Sequence, residues 1–139
     1  MATIIALYGT QNSGKSSTIK ILRDLLPTMG FVPVPDTLKW YGGDFVEIYS
    51  KAGRLLGLTS AGDTEDILDE RLQELFDGNC DVMVCTCRTK GQTTDYLEDL
   101  HDDHDIEYIG KSSSGDGQKH NFLNDNDAHA TLRRVIQVL

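Results

Sequence analysis

The sequence predicts an α/β domain, a three-layer α/β/α sandwich around a mostly parallel sheet. A nearly all-apolar run, Thr3 to Tyr8, stands before a glycine-containing turn and an amphipathic segment. That is the pattern of a strand buried on both faces leading into a helix. A second run, Asp81 to Cys87, combines β-branched and sulfur side chains, as expected of a central strand. Around these two, apolar stretches of strand length alternate with segments of helical periodicity, and that alternation gives a sheet covered on both faces.

Each element has its own signal. After the first strand, Ile19, Leu22, Leu25 and Leu26 share one face of a helix that begins near Lys15, and Pro27 ends it. Phe31 to Pro35 is short and proline-bearing, which suits an edge strand. Phe45 to Ser50 alternates as a strand, and Ser50-Lys51-Ala52-Gly53 turns it into Arg54 to Thr59, a β-hairpin. A helix is expected from about Thr64 to Phe76, with Leu68, Leu72, Leu75 and Phe76 on one side and Gly78 as the stop. Beyond Cys87, Arg88 to Gln92 forms a loop, Thr94 to about Asp102 a helix and Ile106 to Ile109 a strand. Residues 111–127 are rich in Ser, Gly, Asp and Asn and read as one long loop. A closing helix, Ala128 to Leu139, turns Leu132, Val135, Ile136 and Leu139 inward.

The turn after the first strand carries the chemistry. Gly9 to Ser16 reads G-T-Q-N-S-G-K-S, a complete G-x-x-x-x-G-K-[ST] phosphate loop in the strand-loop-helix setting the motif requires. Gly9 and Gly14 permit backbone angles that let the amides of Thr10, Gln11, Asn12 and Ser13 point inward at phosphate oxygens. The free N–H groups and dipole of the following helix favour the same anion. Lys15 is expected to reach the β- and γ-phosphates and Ser16 to put a hydroxyl on Mg²⁺, with Ser17 or Thr18 near the α-phosphate. In a parallel-dominated sheet, ligands lie beyond the carboxyl ends of the strands, so Asp36, Thr59 to Asp63, Arg88 to Gly91 and Lys111 onward join the candidates.

Over about its first 26 residues the chain resembles the P-loop nucleoside triphosphatase superfamily, which implies that fold, a triphosphate ligand and Mg²⁺. Members of it end a hydrophobic strand in a metal-linked Asp. Here Thr59-Ser60-Ala61-Gly62-Asp63 resembles the D-x-x-G switch of small GTPases, with Thr59 in the place of the metal-linked Asp and Asp63 in that of the water-orienting residue. Asp63 is equally suited to cap the helix that follows. Gly110-Lys111-Ser112-Ser113 lacks the Asp of a guanine-reading N-K-x-D element, which favours ATP over GTP. Arg88 or Lys90 would neutralise charge on a transferring phosphoryl group, and guanidinium geometry favours Arg88. Asp36 is a candidate for holding an acceptor, and Trp40 and Tyr41, on a polar loop, for a lid or for packing over the sheet edge. Lys111 and Lys119 are candidates for touching nucleotide. The implied activities are ATP hydrolysis, transfer to a small acceptor, or nucleotide-gated binding of a protein partner.

Composition narrows the setting. At 139 residues the chain is one domain, residues 1–139, and its charged fraction of 25% is ordinary for a globular protein. A formal net charge of −9 argues against long-range attraction to nucleic acid or an anionic membrane. No segment approaches a membrane span, and residues 1–8 lack a basic leader, so a cytoplasmic protein is expected. Cys80, Cys85 and Cys87 read as buried reduced thiols, since no further Cys/His cluster completes a zinc site. The four histidines share no metal-binding spacing and read as surface residues.

Overall fold

β1 (Thr3–Tyr8) lies inside the sheet, with Ile4, Ile5, Ala6 and Leu7 fully buried because neighbours cover both faces. It pairs in parallel with β6 (Val82–Cys87) on one side and with β7 (Asp105–Gly110) on the other. The computed structural model describes residues 2–9, 14–62, 64–88, 91–110 and 117–139, the last segment as backbone only over 117–122. Beyond β6 come β5 (Arg54–Thr59), then β4 (Asp44–Lys51), whose outer edge carries β2 (Val32–Pro33) and β3 (Lys39–Tyr41). The order is β2-β4-β5-β6-β1-β7, with β3 also on β4.

Alternation along the strands separates two cores. Ile5, Leu7, Val82 and Val84 face Ile19 and Leu22 of α1 (Lys15–Leu25) and Ala128, Leu132 and Val135 of α4 (Gly117–Val138). Ile4, Ala6, Met83, Cys85 and Cys87 face Leu68, Leu72 and Leu75 of α2 (Glu65–Asp77) and Leu97 of α3 (Gln92–Asp99). Among the described residues, four α-helices thus cover both faces of a seven-stranded sheet. Pro27 sits in a short 3₁₀ turn, Leu26–Met29, that closes α1.

The sheet is mixed rather than mostly parallel, which corrects the sequence expectation. β5–β6, β6–β1 and β1–β7 pair in parallel, whereas β4–β5, β2–β4 and β3–β4 are antiparallel. A two-residue hairpin makes β4 and β5 antiparallel: Ala52 and Gly53 both have positive φ, at 51° and 78°, the geometry that joins adjacent strands tightly.

Three further expectations change. The long loop over 111–127 is largely helix, since α4 begins at Gly117 rather than Ala128. Asn124, Asp127, Ala128, Thr131, Leu132 and Val135 are buried at helical spacing, so a face of small polar residues extends the apolar stripe toward the N-terminus. Trp40 and Tyr41 belong to β3 rather than to a loop. Trp40 packs on Phe45 with ring centroids 5.4 Å apart, and the Tyr41 hydroxyl donates to Glu74 Oε1 at 2.6 Å. The cap of α2 is Thr64, extended at φ −130° and accepting from the Ile67 amide, so that helix does not need Asp63 as its N-cap.

Candidate functional site

The phosphate-loop motif brackets the carboxyl ends of β1 and β6. Gly9 N–H donates to the Cys87 carbonyl at 3.2 Å, continuing the ladder one step past Tyr8. Gly14, at φ +92°, starts α1 without a side-chain cap. A β-carbon there would lie 2.5 Å from Asn124 Oδ1, so glycine is required both by its left-handed backbone and by the close approach of α4.

Lys15 is buried, at 5% exposure, which a lysine tolerates only with its ammonium satisfied. Its Nζ donates to the Gly9 carbonyl at 2.9 Å and to the Cys87 carbonyl at 3.1 Å. The positive charge is therefore held at the carboxyl ends of two parallel strands, by the carbonyls of Gly9 and Cys87. Ser16 Oγ donates to the Ser60 carbonyl at 3.3 Å, which brings the segment after β5 against the start of α1. Ser17 is exposed. Thr18 is buried and donates its hydroxyl to the Gly14 carbonyl at 2.9 Å, which commits it to the helix start.

The segment after β5 is tightly held. Thr59 is fully buried and its Oγ1 accepts from the Ala61 amide at 3.2 Å, so this hydroxyl closes its own turn. Thr86 Oγ1 reaches the Ser60 carbonyl at 3.4 Å. Ser60 Oγ donates to Asp44 Oδ1 at 3.0 Å and accepts from the Phe45 amide. Asp44 is thereby linked to Ser16 through one residue, a carboxylate that sequence reading missed because it follows Gly42-Gly43 and passes for a turn residue. β6 lies between β1 and β5, so the Thr59 segment reaches the loop from two strands away.

Asp36 is not brought to this site. It lines a hollow of about 130 Å³ with Thr37, Lys39, Ile48 and Glu74 on the β3 edge, a lining that includes none of Gly9, Lys15, Ser16 and Cys87. Arg88 follows β6 directly, its backbone fixed by the Thr93 and Thr94 hydroxyls at 3.0 and 2.7 Å. Residues 10–13, 63, 90 and 111 lie outside the described residues, as does the Lys119 side chain; Thr10, Gln11, Asn12, Ser13 and Asp63 are among them.

Cys87 borders the lysine. Burial pushes its thiol up to about 11 even though the Lys15 ammonium pulls it down, and burial raises Cys80 to about 12. All three cysteines are buried free thiols and therefore weak nucleophiles at neutral pH. His104 departs from a plain surface role: it stacks on Phe76 at 4.9 Å, and its Nδ1 accepts from the Ala2 amide.

Among the described residues, no group of three or more His, Cys, Asp or Glu could hold a metal by itself. No helix there is long and apolar enough to cross a membrane. Compared with family models, curated proteins and solved structures, the chain matches none.

Proposed function

We propose that the chain is a P-loop nucleotide-binding protein that binds ATP with Mg²⁺ and transfers the γ-phosphoryl group to water. The observation that carries this reading is the Lys15 ammonium, buried at the carboxyl ends of β1 and β6 and directly after a left-handed Gly14. A buried cation beside the free N–H groups of a helix start is built for a multiply charged anion. Lys15 and the loop amides bind the phosphates, and Arg88 neutralises charge that builds on the transferring group. Asp63, from the segment after β5, orients the attacking water.

Ser16 would hold Mg²⁺ through its hydroxyl at the start of α1, and Asp44, bound to the Ser60 side chain while Ser16 bonds the Ser60 carbonyl, is the described carboxylate linked to it. The ion would neutralise charge on the β- and γ-phosphate oxygens. The missing acid at Thr59 is consistent with slow turnover. ATP is favoured over GTP because Gly110-Lys111-Ser112-Ser113 has no acid to read guanine.

Phosphate release under multiple turnover tests the reading. Release from ATP that falls on chelation of Mg²⁺ and in Lys15→Ala supports it; release unaffected by both overturns it. ATP binding without release would replace hydrolysis by a nucleotide-gated switch. A second reading, transfer to a small acceptor, draws support from a hollow beside Arg88.

A further inference from the structure

On the α3 side of the sheet, directly past the carboxyl ends of β1 and β6, a half-open hollow of about 270 Å³ is lined by Tyr8, Arg88, Thr94, Glu98 and Tyr108. It is neighbour to the phosphate loop by construction. Tyr8 and Arg88 each adjoin one of the two residues, Gly9 and Cys87, whose carbonyls hold Lys15. Its walls are of three chemical kinds. Tyr8 and Tyr108 meet edge to face, centroids 6.2 Å apart and planes at 81°, which offers aromatic surface to a flat ligand. Gly110 keeps that surface open, because a β-carbon there would come within 3.2 Å of the Tyr8 hydroxyl.

The second kind is a carboxylate. Glu98 accepts from the Tyr108 hydroxyl at 2.6 Å through Oε1, while Oε2 stands 3.9 Å from His101 Nε2. Burial and the Glu98 hydrogen bond raise the Tyr108 pKa, so the phenol stays a donor and fixes the carboxylate. A fixed carboxylate has spare lone pairs and selects for N–H donors. The third kind is Arg88, a cation among the lining residues, whose backbone is held by the Thr93 and Thr94 hydroxyls. Guanidinium groups select for phosphate or carboxylate.

Aromatic wall, carboxylate and guanidinium together define a ligand with a flat ring, N–H donors on its edge and an anionic tail. The volume lies just under the usual range for small-molecule sites, roughly 300–1,000 Å³, which limits the ligand to one compact molecule. We propose that this hollow is a second binding site, beside the phosphate loop, for a heteroaromatic ring bearing an anionic group, the chemistry of a nucleoside monophosphate. The site shares Arg88 with the ATP reading and needs no contact with Lys15, so Lys15→Ala distinguishes its failure from that of the ATP reading.

The test is calorimetric titration of the full chain with AMP, GMP, CMP and UMP in turn. At least one is expected to bind, and Glu98→Gln or Tyr108→Leu is expected to weaken it at least about tenfold. Lys15→Ala should leave that binding in place while it weakens ATP. Glu98 is half-exposed on α3, so its conservative variant tests the site even if Tyr108→Leu fails to fold. No binding by any of the four at millimolar concentration would overturn the proposal. So would binding that Lys15→Ala abolishes and Glu98→Gln leaves intact, which would assign the mononucleotide to the phosphate loop. ATP affinity unmoved by Lys15→Ala would count against the proposed function and not against this site.

Discussion

Gly14→Ala probes the contact between the start of α1 and α4, and its cost has two separable parts. The backbone stands at φ +92°, a left-handed region that costs an L-residue roughly 1–2 kcal/mol. The new β-carbon would lie 2.5 Å from Asn124 Oδ1, about half an ångström inside the 3.0 Å that real β-carbons keep. Asn124 is 5% exposed and meets Thr18 Oγ1 at 3.4 Å, so it cannot swing into solvent, and overpacking of this kind costs about 1–3 kcal/mol. The single variant should therefore lose about 2–5 kcal/mol of stability. In an Asn124→Ala background the clash disappears and only the backbone part remains. Urea denaturation of the four proteins of this cycle should give a coupling of about 1–3 kcal/mol. Equal costs of Gly14→Ala in both backgrounds, within about 0.5 kcal/mol, would refute the packing of Asn124 against Gly14.

Other expectations concern the segment after β5 and the thiols. A β-carbon on Gly62 would meet the Thr86 carbonyl oxygen at 1.9 Å and Thr86 Oγ1 at 2.3 Å. Gly62→Ala must therefore push the segment off β6, with a stability loss near the upper end of about 1–3 kcal/mol and weaker ATP binding as the Ser60 carbonyl leaves Ser16. Gly43→Ala, with nothing within 4 Å of the added carbon, should stay within about 0.5 kcal/mol of wild type; equal effects of the two in chemical denaturation would sink the steric argument. The pH dependence follows from the buried cysteines. Folding raises Cys87 to about 11 and Cys80 to about 12, above the unfolded value of about 8.5. Their stabilisation is complete below that unfolded value and is lost as pH rises toward the folded ones, at up to about 1.4 kcal/mol per pH unit for each thiol. Cys87→Ala should flatten the alkaline fall in denaturation midpoint; an unchanged slope would contradict the assignment.

The parts of the fold that were legible are those fixed by local pattern. Thr3 to Tyr8 and Asp81 to Cys87 are apolar runs that only buried strands explain, and β1 and β6 occupy them. The Ala52-Gly53 turn marks the hairpin, yet the way β2 and β3 dock on the far edge of β4 depends on non-local pairing that no period reveals. The first half of α4 was hidden by composition. Asn124, Asp127 and Thr131 stand buried where a stripe of leucines would have announced a helix, and Asn124 meets Thr18 of α1. Gly14, Lys15 and Ser16 were legible as part of G-x-x-x-x-G-K-S, because that spacing is local. Asp44, Thr86 and Glu98 gave no such signal: they reach the site or its neighbouring hollow through strand register and helix docking.

The central claim is that Lys15 and the loop around it hold the phosphates of a nucleotide. Titration of Mg-ATP into wild type and Lys15→Ala, each verified as folded, tests it most directly. Loss of one charge-assisted hydrogen-bonding group, worth about 1.5–3 kcal/mol, should weaken ATP by roughly 10- to 100-fold. Equal affinity in the two proteins, or no binding by the wild type, would contradict it.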